Sequence, residues 1–373
     1  MRLGFVSDGN SPYVQALARH FAHQRGWEVH LISLRPLQRG MEGVTTHDLG
    51  CRSKLGYLLR IPRVRRLVAR IRPDVLIGYR IQSYGFVAAC SGFHPLVLMP
   101  QCETIAWPPE SRLMQRFCRY AIRRADWINS LGAHMTGSLL RLGADPKRID
   151  TYPAGVRSDC FFPPERPVGE RERTLISTRA LAPEYHQDLV IRAVDVLRRR
   201  HAMEVRYWIV GDGAERARLE RLAHELELSS QVRFFGHQPP HQVGELLRQA
   251  AVYVALVSTD GVSASLLEAM ACGAFPIVPD MPANRLWVDD GVSGSLLSTD
   301  GWVPDSVAGF RQPADRGEQL ADRIAAALAD PELRRRAAGV NLELVRQQAD
   351  WATNLGRMEA SLRKLTARTE ARL

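Results

Sequence analysis

Long apolar runs are missing from this sequence. No stretch comes near the roughly 18 residues that a membrane-spanning helix needs, so no transmembrane segment is expected. The N-terminus, MRLGFVSDG, reads as a short strand entering a loop and lacks the apolar core of a secretory signal. Cysteine is sparse and scattered: Cys51, Cys90, Cys102, Cys118, Cys160 and Cys272 include no CxxC pair. That suits buried thiols in a reducing cytosol better than a disulfide framework or a zinc site. No helix-turn-helix, zinc-finger or RNA-binding signature is present, so nucleic acid is not an expected partner. Lysine is scarce as well, at three of the 50 basic residues. What remains is ordinary soluble-protein chemistry, 45% apolar and 24% charged, in 373 residues that can hold two or three domains.

The net charge of +10 is unevenly placed. Residues 1–160 carry 23 Lys and Arg against 11 Asp and Glu, whereas residues 161–373 carry 27 against 29. The excess concentrates in LLRIPRVRRLVARIRPD (58–74) and SRLMQRFCRYAIRRADW (111–127), where arginines alternate with apolar residues at helical spacing. Two readings stand side by side: attraction to anionic lipid or an acidic acceptor, and a solvated helix face.

Short apolar runs alternate with helical stretches along the whole chain. LGFVS (3–7), EVHLISL (28–34), DVLIGY (74–79), PLVLM (95–99), DWINSL (126–131) and IDTYPAG (149–155) are followed by TLISTRA (174–180), VRYWIVG (205–211), VRFFGH (232–237), AVYVALV (251–257) and AFPIV (274–278). Apolar runs separated by helices are parallel strands buried on both faces, which predicts two doubly wound α/β domains in series. Pro- and charge-rich CFFPPERPVGERER (160–173) reads as the linker between them. The expected division is 1–160, a linker at 161–172, 173–350, and a terminal helix over 351–373 that packs back on the first domain.

In such sheets ligands bind at the carboxyl ends of the strands. STDGVSASLLEAMACGAFPIV (258–278) supplies that kind of loop, then a helix starting near Ser263 and stopped by Gly273. Amides around Ala264 and Ser265 have no intrahelical partner and suit a phosphate, and Gly261 removes a side chain where a ligand comes close. Glu268 has almost only apolar neighbours on this helix. A buried carboxylate needs donors, which ribose hydroxyls would supply; a glutamate emerging to water is the other reading. GDG (211–213) lacks the third glycine of GxGxxG and reads as a tight β–α turn.

DGVSASLLEAMACGAFPIV resembles the signature of retaining glycosyltransferases of family 4, which have the GT-B fold: an acid (Asp260), then Glu268, then Ala269 to Pro276. PDMPANRLWVDDGVSG (279–294), WIVGDGAERARLE (208–220), VRFFGHQPP (232–240) and YPAGVRSDCFFP (152–163) are similar to further family segments. The resemblance covers most of 125–310. It implies two Rossmann-like domains facing across a cleft, an acceptor-binding one first and a nucleotide-sugar-binding one second. It implies that Glu268 holds the ribose, Asp260 the donor sugar, the amides of Ser263, Ala264 and Ser265 the diphosphate and sugar, and Arg179 the leaving diphosphate. It places Gly211, Gly236 and His237 around the nucleotide, a plain loop histidine being the other reading of His237, and Gly9, Asn10 and Ser11 in a first-domain loop near the acceptor.

Three positions depart from the family. Asp260 stands where Glu is usual. Glu184 and Tyr185 occupy the places of a diphosphate lysine, leaving His186 as a substitute. Gln101, Cys102 and Glu103 follow a strand where many members have histidine, which makes Glu103 the catalytic candidate there, with a cap of the next helix as its other reading. The expectation is a cytosolic, metal-independent retaining transferase with no cofactor. It would take a UDP-, GDP- or other nucleotide-diphosphate sugar and a saccharide or lipid-linked acceptor, with the inner membrane surface as a partner, in polysaccharide or glycolipid synthesis. The alternatives are a nucleotide-sugar epimerase of similar fold and a non-catalytic nucleotide-sugar-binding protein.

Overall fold

The computed structural model describes residues 1–101, 112–165, 171–257, 260–305, 309–311 and 315–370, with side chains at 54–55, 303–305, 309–311 and 368–370 left aside. The chain divides into two units, Met1–Pro153 with Leu355–Leu373, and Ala154–Asn354.

The first unit is built on seven strands: β1 (Arg2–Ser7), β2 (Glu28–Ser33), β3 (Val44–Asp48), β4 (Val75–Tyr79), β5 (Leu96–Met99), β6 (Trp127–Ser130) and β7 (Ile149–Thr151). All are parallel, in the order β3-β2-β1-β4-β5-β6-β7. The direction of winding reverses between β1 and β4. The central strands are apolar and buried on both faces, which is why they stand out as runs in the sequence. The edge strand β3, VTTHD, is mostly polar and partly exposed, and no run marks it.

The second unit has six parallel strands: β8 (Thr174–Ser177), β9 (Arg206–Val210), β10 (Val232–Gly236), β11 (Val252–Val254), β12 (Phe275–Pro279) and β13 (Ser295–Leu297). Their order is β10-β9-β8-β11-β12-β13, so the winding reverses between β8 and β11. Successive residues enter opposite cores. Leu175, Val252 and Val254 pack in one apolar cluster with the helices Gln187–Arg200 and Arg316–Ala329. Ile176 and Tyr253 pack in the other with the helix Ala264–Ala271.

The boundary at Pro153/Ala154 lies ahead of the proline-rich 161–172. That composition reads as a linker, but its ends are anchored in the second unit. Cys160 and Phe161 are buried in that unit's core. The guanidinium of Arg171 donates to the carbonyls of Ala250 (2.5 Å) and Cys272 (2.6 Å). At the far end the helix Trp351–Glu370 starts in the second unit and continues into the first. There Glu359 pairs with Arg25 (2.6 Å), Ser361 donates to Asp150 (3.1 Å) and Arg363 lies over the Trp27 ring.

Candidate functional site

A winding reversal leaves a crevice at the carboxyl ends of the two strands that flank it. In the second unit these strands are β8 and β11, and Arg179 follows the first and Asp260 the second. The reversal therefore brings together two side chains 81 residues apart. Arg179 Nη2 donates to Asp260 Oδ2 at 2.5 Å, with both side chains only 15–16% exposed. Arg179 Nη1 also reaches Ser265 Oγ (3.2 Å), and the guanidinium lies over the Tyr185 ring, 4.9 Å from its centre. Burial pulls against the charge of Arg179, but Asp260, with Tyr253 and Tyr185, outweighs it and raises the pKa. Arg179 Nε is buried with no hydrogen-bond partner among the described residues.

The helix Ala264–Ala271 points its first turn at this pair. Ser263 is its N-cap, accepting from Leu266 N (3.3 Å). The amides of Ala264 and Ser265 precede the first intrahelical bond, Leu267 N to Ser263 O. Ser265 Oγ is held by Tyr253 Oη (2.7 Å) and Ser263 Oγ (3.1 Å), so it meets Arg179 from a fixed position. The helix is buried on every side except one stripe, formed by exposed Ala264 and, one turn on, partly exposed Glu268. Among the described residues Glu268 has no hydrogen-bond donor. Burial pushes its carboxyl up to about 7, against the pull of Arg179 and Arg157. The lone acid of an apolar helix thus sits on its one open stripe, desolvated and facing two cations.

Residues 2–131 match the model "Glycosyl transferase 4-like" and residues 161–339 the model "Glycosyl transferases group 1". Among solved structures, Anabaena HepE in complex with UDP superposes with a TM-score of 0.74 at 16% identity, over 98% of this chain and all of that one. Sucrose-phosphate synthase from Thermosynechococcus elongatus gives 0.76 at 16% identity, over 99% and 100%. The chain belongs to the GT-B glycosyltransferases. It is 30% identical over 158 residues to the GtfA subunit of the UDP-N-acetylglucosamine–peptide N-acetylglucosaminyltransferase of Limosilactobacillus reuteri, 42% of this chain and 29% of that protein. It is 31% identical over 170 residues to the D-inositol 3-phosphate glycosyltransferase of Mycobacterium bovis, 42% and 34%. The matches thus span less than half of these curated relatives.

Within this GT-B chain the other sequence candidates occupy distinct places. Gly211 (φ +148°) packs on the loop that carries Arg179: a Cβ there would lie 2.2 Å from the Arg179 carbonyl oxygen. Its amide donates to the Gly236 carbonyl (2.9 Å). Gly211 therefore acts by letting the Arg179 loop sit close. Gly211→Ala should lower the melting temperature and weaken nucleotide binding by displacing Arg179. Gly291→Ala, at a positive φ with open space around it, should cost backbone strain alone. Unchanged nucleotide affinity in Gly211→Ala would remove this positioning role. His237 is exposed, one residue past Gly236. His186 is buried, in left-handed conformation at the start of the helix Gln187–Arg200, with its ring 6.2 Å from that of Trp302.

Gly9, Asn10 and Ser11 lie in the first unit, past β1 at its own winding reversal. Gly9 N donates to Ser33 Oγ (3.0 Å), and Asn10 Nδ2 donates to Pro36 O (2.8 Å) and Asp8 Oδ1 (3.2 Å). Ser11 starts the helix Pro12–Arg19. Glu103 lies outside the described residues. Among the described residues, no group of three or more His, Cys, Asp or Glu could hold a metal ion. Sequence reasoning missed Tyr253 and Arg157, and it named Tyr185 only as standing in the place of a lysine. Tyr253 left a signal, a hydroxyl in the middle of the apolar strand AVYVALV. Arg157 left none, because its role depends on how the chain folds back.

Proposed function

We propose that the protein is a retaining, metal-independent glycosyltransferase that moves a sugar from a nucleoside-diphosphate sugar to a hydroxyl of a saccharide or lipid-linked acceptor. The observation that carries this reading is the Arg179–Asp260–Ser265 cluster at a helix N-terminus, with the unpartnered Glu268 one turn further along. The helix amides and Arg179 take the diphosphate, Glu268 the ribose hydroxyls, and Asp260 the hydroxyls of the donor sugar. As the sugar–phosphate bond breaks, charge grows on the departing oxygen, and a fixed guanidinium stabilises it. Attack comes from the same face. The acceptor oxygen bonds to the anomeric carbon, and its proton passes to the departing phosphate.

UDP is the first donor base to test, because HepE was solved with UDP and UDP-glucose and the pneumococcal GtfA with UDP and GlcNAc. The test is release of the nucleoside diphosphate from UDP-, GDP- and ADP-sugars with and without a saccharide acceptor. Acceptor-dependent release with the anomeric configuration kept in the product is expected. An inverted product removes the retaining mechanism, and no release from any donor removes the enzymatic reading.

The proposed setting is the inner membrane face, in polysaccharide or glycolipid synthesis. Arg63, Arg65, Arg66 and Arg70 lie on the helix Ile61–Ile71, and Arg116, Arg119, Arg123 and Arg124 on the helix Arg112–Arg124. Both helices pack against the short helix Phe86–Cys90, so they share one face of the first sheet. None of these eight arginines forms an ion pair with an acid among the described residues. Leu59, two residues ahead of the first of these helices, and Leu113, in the first turn of the second, are 71% and 55% exposed. Each basic side chain at an anionic surface contributes about 1 kcal/mol. Co-sedimentation with anionic vesicles is therefore expected at low salt, lost at high salt and absent with neutral vesicles. Equal binding to both vesicle types, or none to either, would leave these arginines as solvated helix faces.

A further inference from the structure

The polar groups of the first-unit loop are spent on holding the chain segment that follows β2. Gly9 N donates to Ser33 Oγ, and Ser33 Oγ to the Arg35 carbonyl (2.6 Å). Asn10 Nδ2 holds the Pro36 carbonyl and Asn10 Oδ1 takes the Gln38 amide (2.9 Å). Asp48 takes the Leu37 amide (3.1 Å). A loop pinned at Ser33, Arg35, Pro36, Leu37 and Gln38 is fixed by more hydrogen bonds than a simple connection needs, and the side chain it presents is Arg35.

Only one edge of the Arg35 guanidinium is clamped. Nε donates to Tyr57 Oη (3.1 Å) and stands 3.8 Å from Asp8 Oδ2. Tyr57 and Tyr84 are buried, with ring centres 5.4 Å apart, and both turn their hydroxyls to the guanidinium. Asp8 Oδ1 is taken up by the Asn10 amide and side chain. The Tyr84 hydroxyl also faces the guanidinium, and the side chain is still 58% exposed. Asp8, Arg35 and Tyr84 follow the carboxyl ends of β1, β2 and β4, and Tyr57 follows β3; the winding of the first sheet reverses between β1 and β4, where a ligand crevice is expected. A guanidinium backed by Tyr57, Tyr84 and Asp8 and more than half exposed presents a planar fork matched to a carboxylate or a phosphate.

We propose that Arg35 is the anion-recognising subsite for the acceptor, selecting a saccharide that carries a carboxylate or a phosphate. This rests on the glycosyl-transfer reading above. It reassigns the first loop: Gly9 and Asn10 position the Arg35 segment, while Arg35 and the exposed side of Asp8 meet the acceptor.

The test is calorimetric titration of the whole protein, saturated with UDP so that the diphosphate site is blocked, with glucose, glucuronate and glucose 6-phosphate. Glucuronate or glucose 6-phosphate should bind about 10–100-fold more tightly than glucose, the effect of one charge-assisted fork. Whichever anion prevails tells carboxylate from phosphate. Arg35→Gln should erase the preference and Arg35→Lys should keep part of it. Both variants should retain the wild-type melting temperature and UDP affinity, since Arg35 lies on the surface of the other unit. Anionic sugars that bind no better than glucose, absence of binding included, overturn the proposal. So does a preference that survives Arg35→Gln. Failure of UDP to bind the wild type would instead count against the transferase reading itself.

Discussion

Arg179→Ala should lower kcat by about 100-fold and raise the KM for the donor far less. The expectation follows from where the guanidinium is held. Asp260, Ser265 and the Tyr185 ring fix it, so it needs little rearrangement when charge grows on the leaving diphosphate. An interaction that strengthens in the transition state appears in kcat, whereas uniform ground-state binding appears in KM. Asp260→Ala is the informative companion. It removes the carboxylate that neutralises Arg179 in the free protein, so bare nucleoside diphosphate should bind at least as well as to wild type. Sugar transfer should fall, because the donor hydroxyls lose their acceptor. Steady-state kinetics of both variants with a saturating acceptor decide this. A normal kcat in Arg179→Ala would mean that the leaving group is stabilised elsewhere.

The second large effect concerns Glu268. Its carboxyl is pushed up to about 7 by burial and lacks a donor among the described residues. Ribose hydroxyls donate to the ionised form and favour it. Nucleotide binding should therefore release a proton near pH 6, and wild-type affinity should climb as pH rises through 7. Glu268→Gln keeps the volume but loses the charge. It should bind about 10–150-fold more weakly at pH 8, corresponding to about 1.5–3 kcal/mol, with the Glu268-linked proton release gone. Calorimetry in two buffers of different ionisation enthalpy measures both quantities. The free protein should show the reverse preference. A carboxyl whose folded pKa lies above its unfolded value of 4.5 gives its full stability below that value, and loses it as pH rises through 7. Glu268→Gln should thus melt higher relative to wild type at pH 8 than at pH 4. Wild-type and variant proteins with parallel pH dependence in both assays would remove Glu268 from the ribose site.

That a carboxylate costs stability here also explains what could be read from the sequence. Glu268 breaks the pattern of its own helix, and a local break of this kind is visible without a structure. The helix start at Ser263 and its stop at Gly273 were legible for the same reason, since caps are local chemistry. Parallel strands buried on both faces were legible as apolar runs. Two of the four edge strands were not: β3 is polar and partly exposed, and β13 has three residues, whereas β7 and β10 lie within apolar runs. The Arg179–Asp260 pair could not be found by spacing, because it exists only once β11 inserts beside β8. Asn10 was recognisable as a loop residue, but its partners at Pro36 and Gln38 come from another strand connection. Residues 160–173 looked like a linker because proline and charge dominate their composition. Phe161 and Arg171 decide otherwise by burial, which composition does not report.

The central claim is that a nucleoside diphosphate sits in the second unit, between the N-terminus of the helix Ala264–Ala271, Arg179 and Glu268. Hydrogen-exchange mass spectrometry of the whole protein, with and without saturating UDP, GDP or ADP, tests it most directly. One of these nucleotides should slow amide exchange in peptides covering 178–186 and 261–271, and Glu268→Ala should abolish that protection at the same nucleotide concentration. Tight nucleotide binding that leaves both segments unprotected, or no binding by any of the three, would contradict the account.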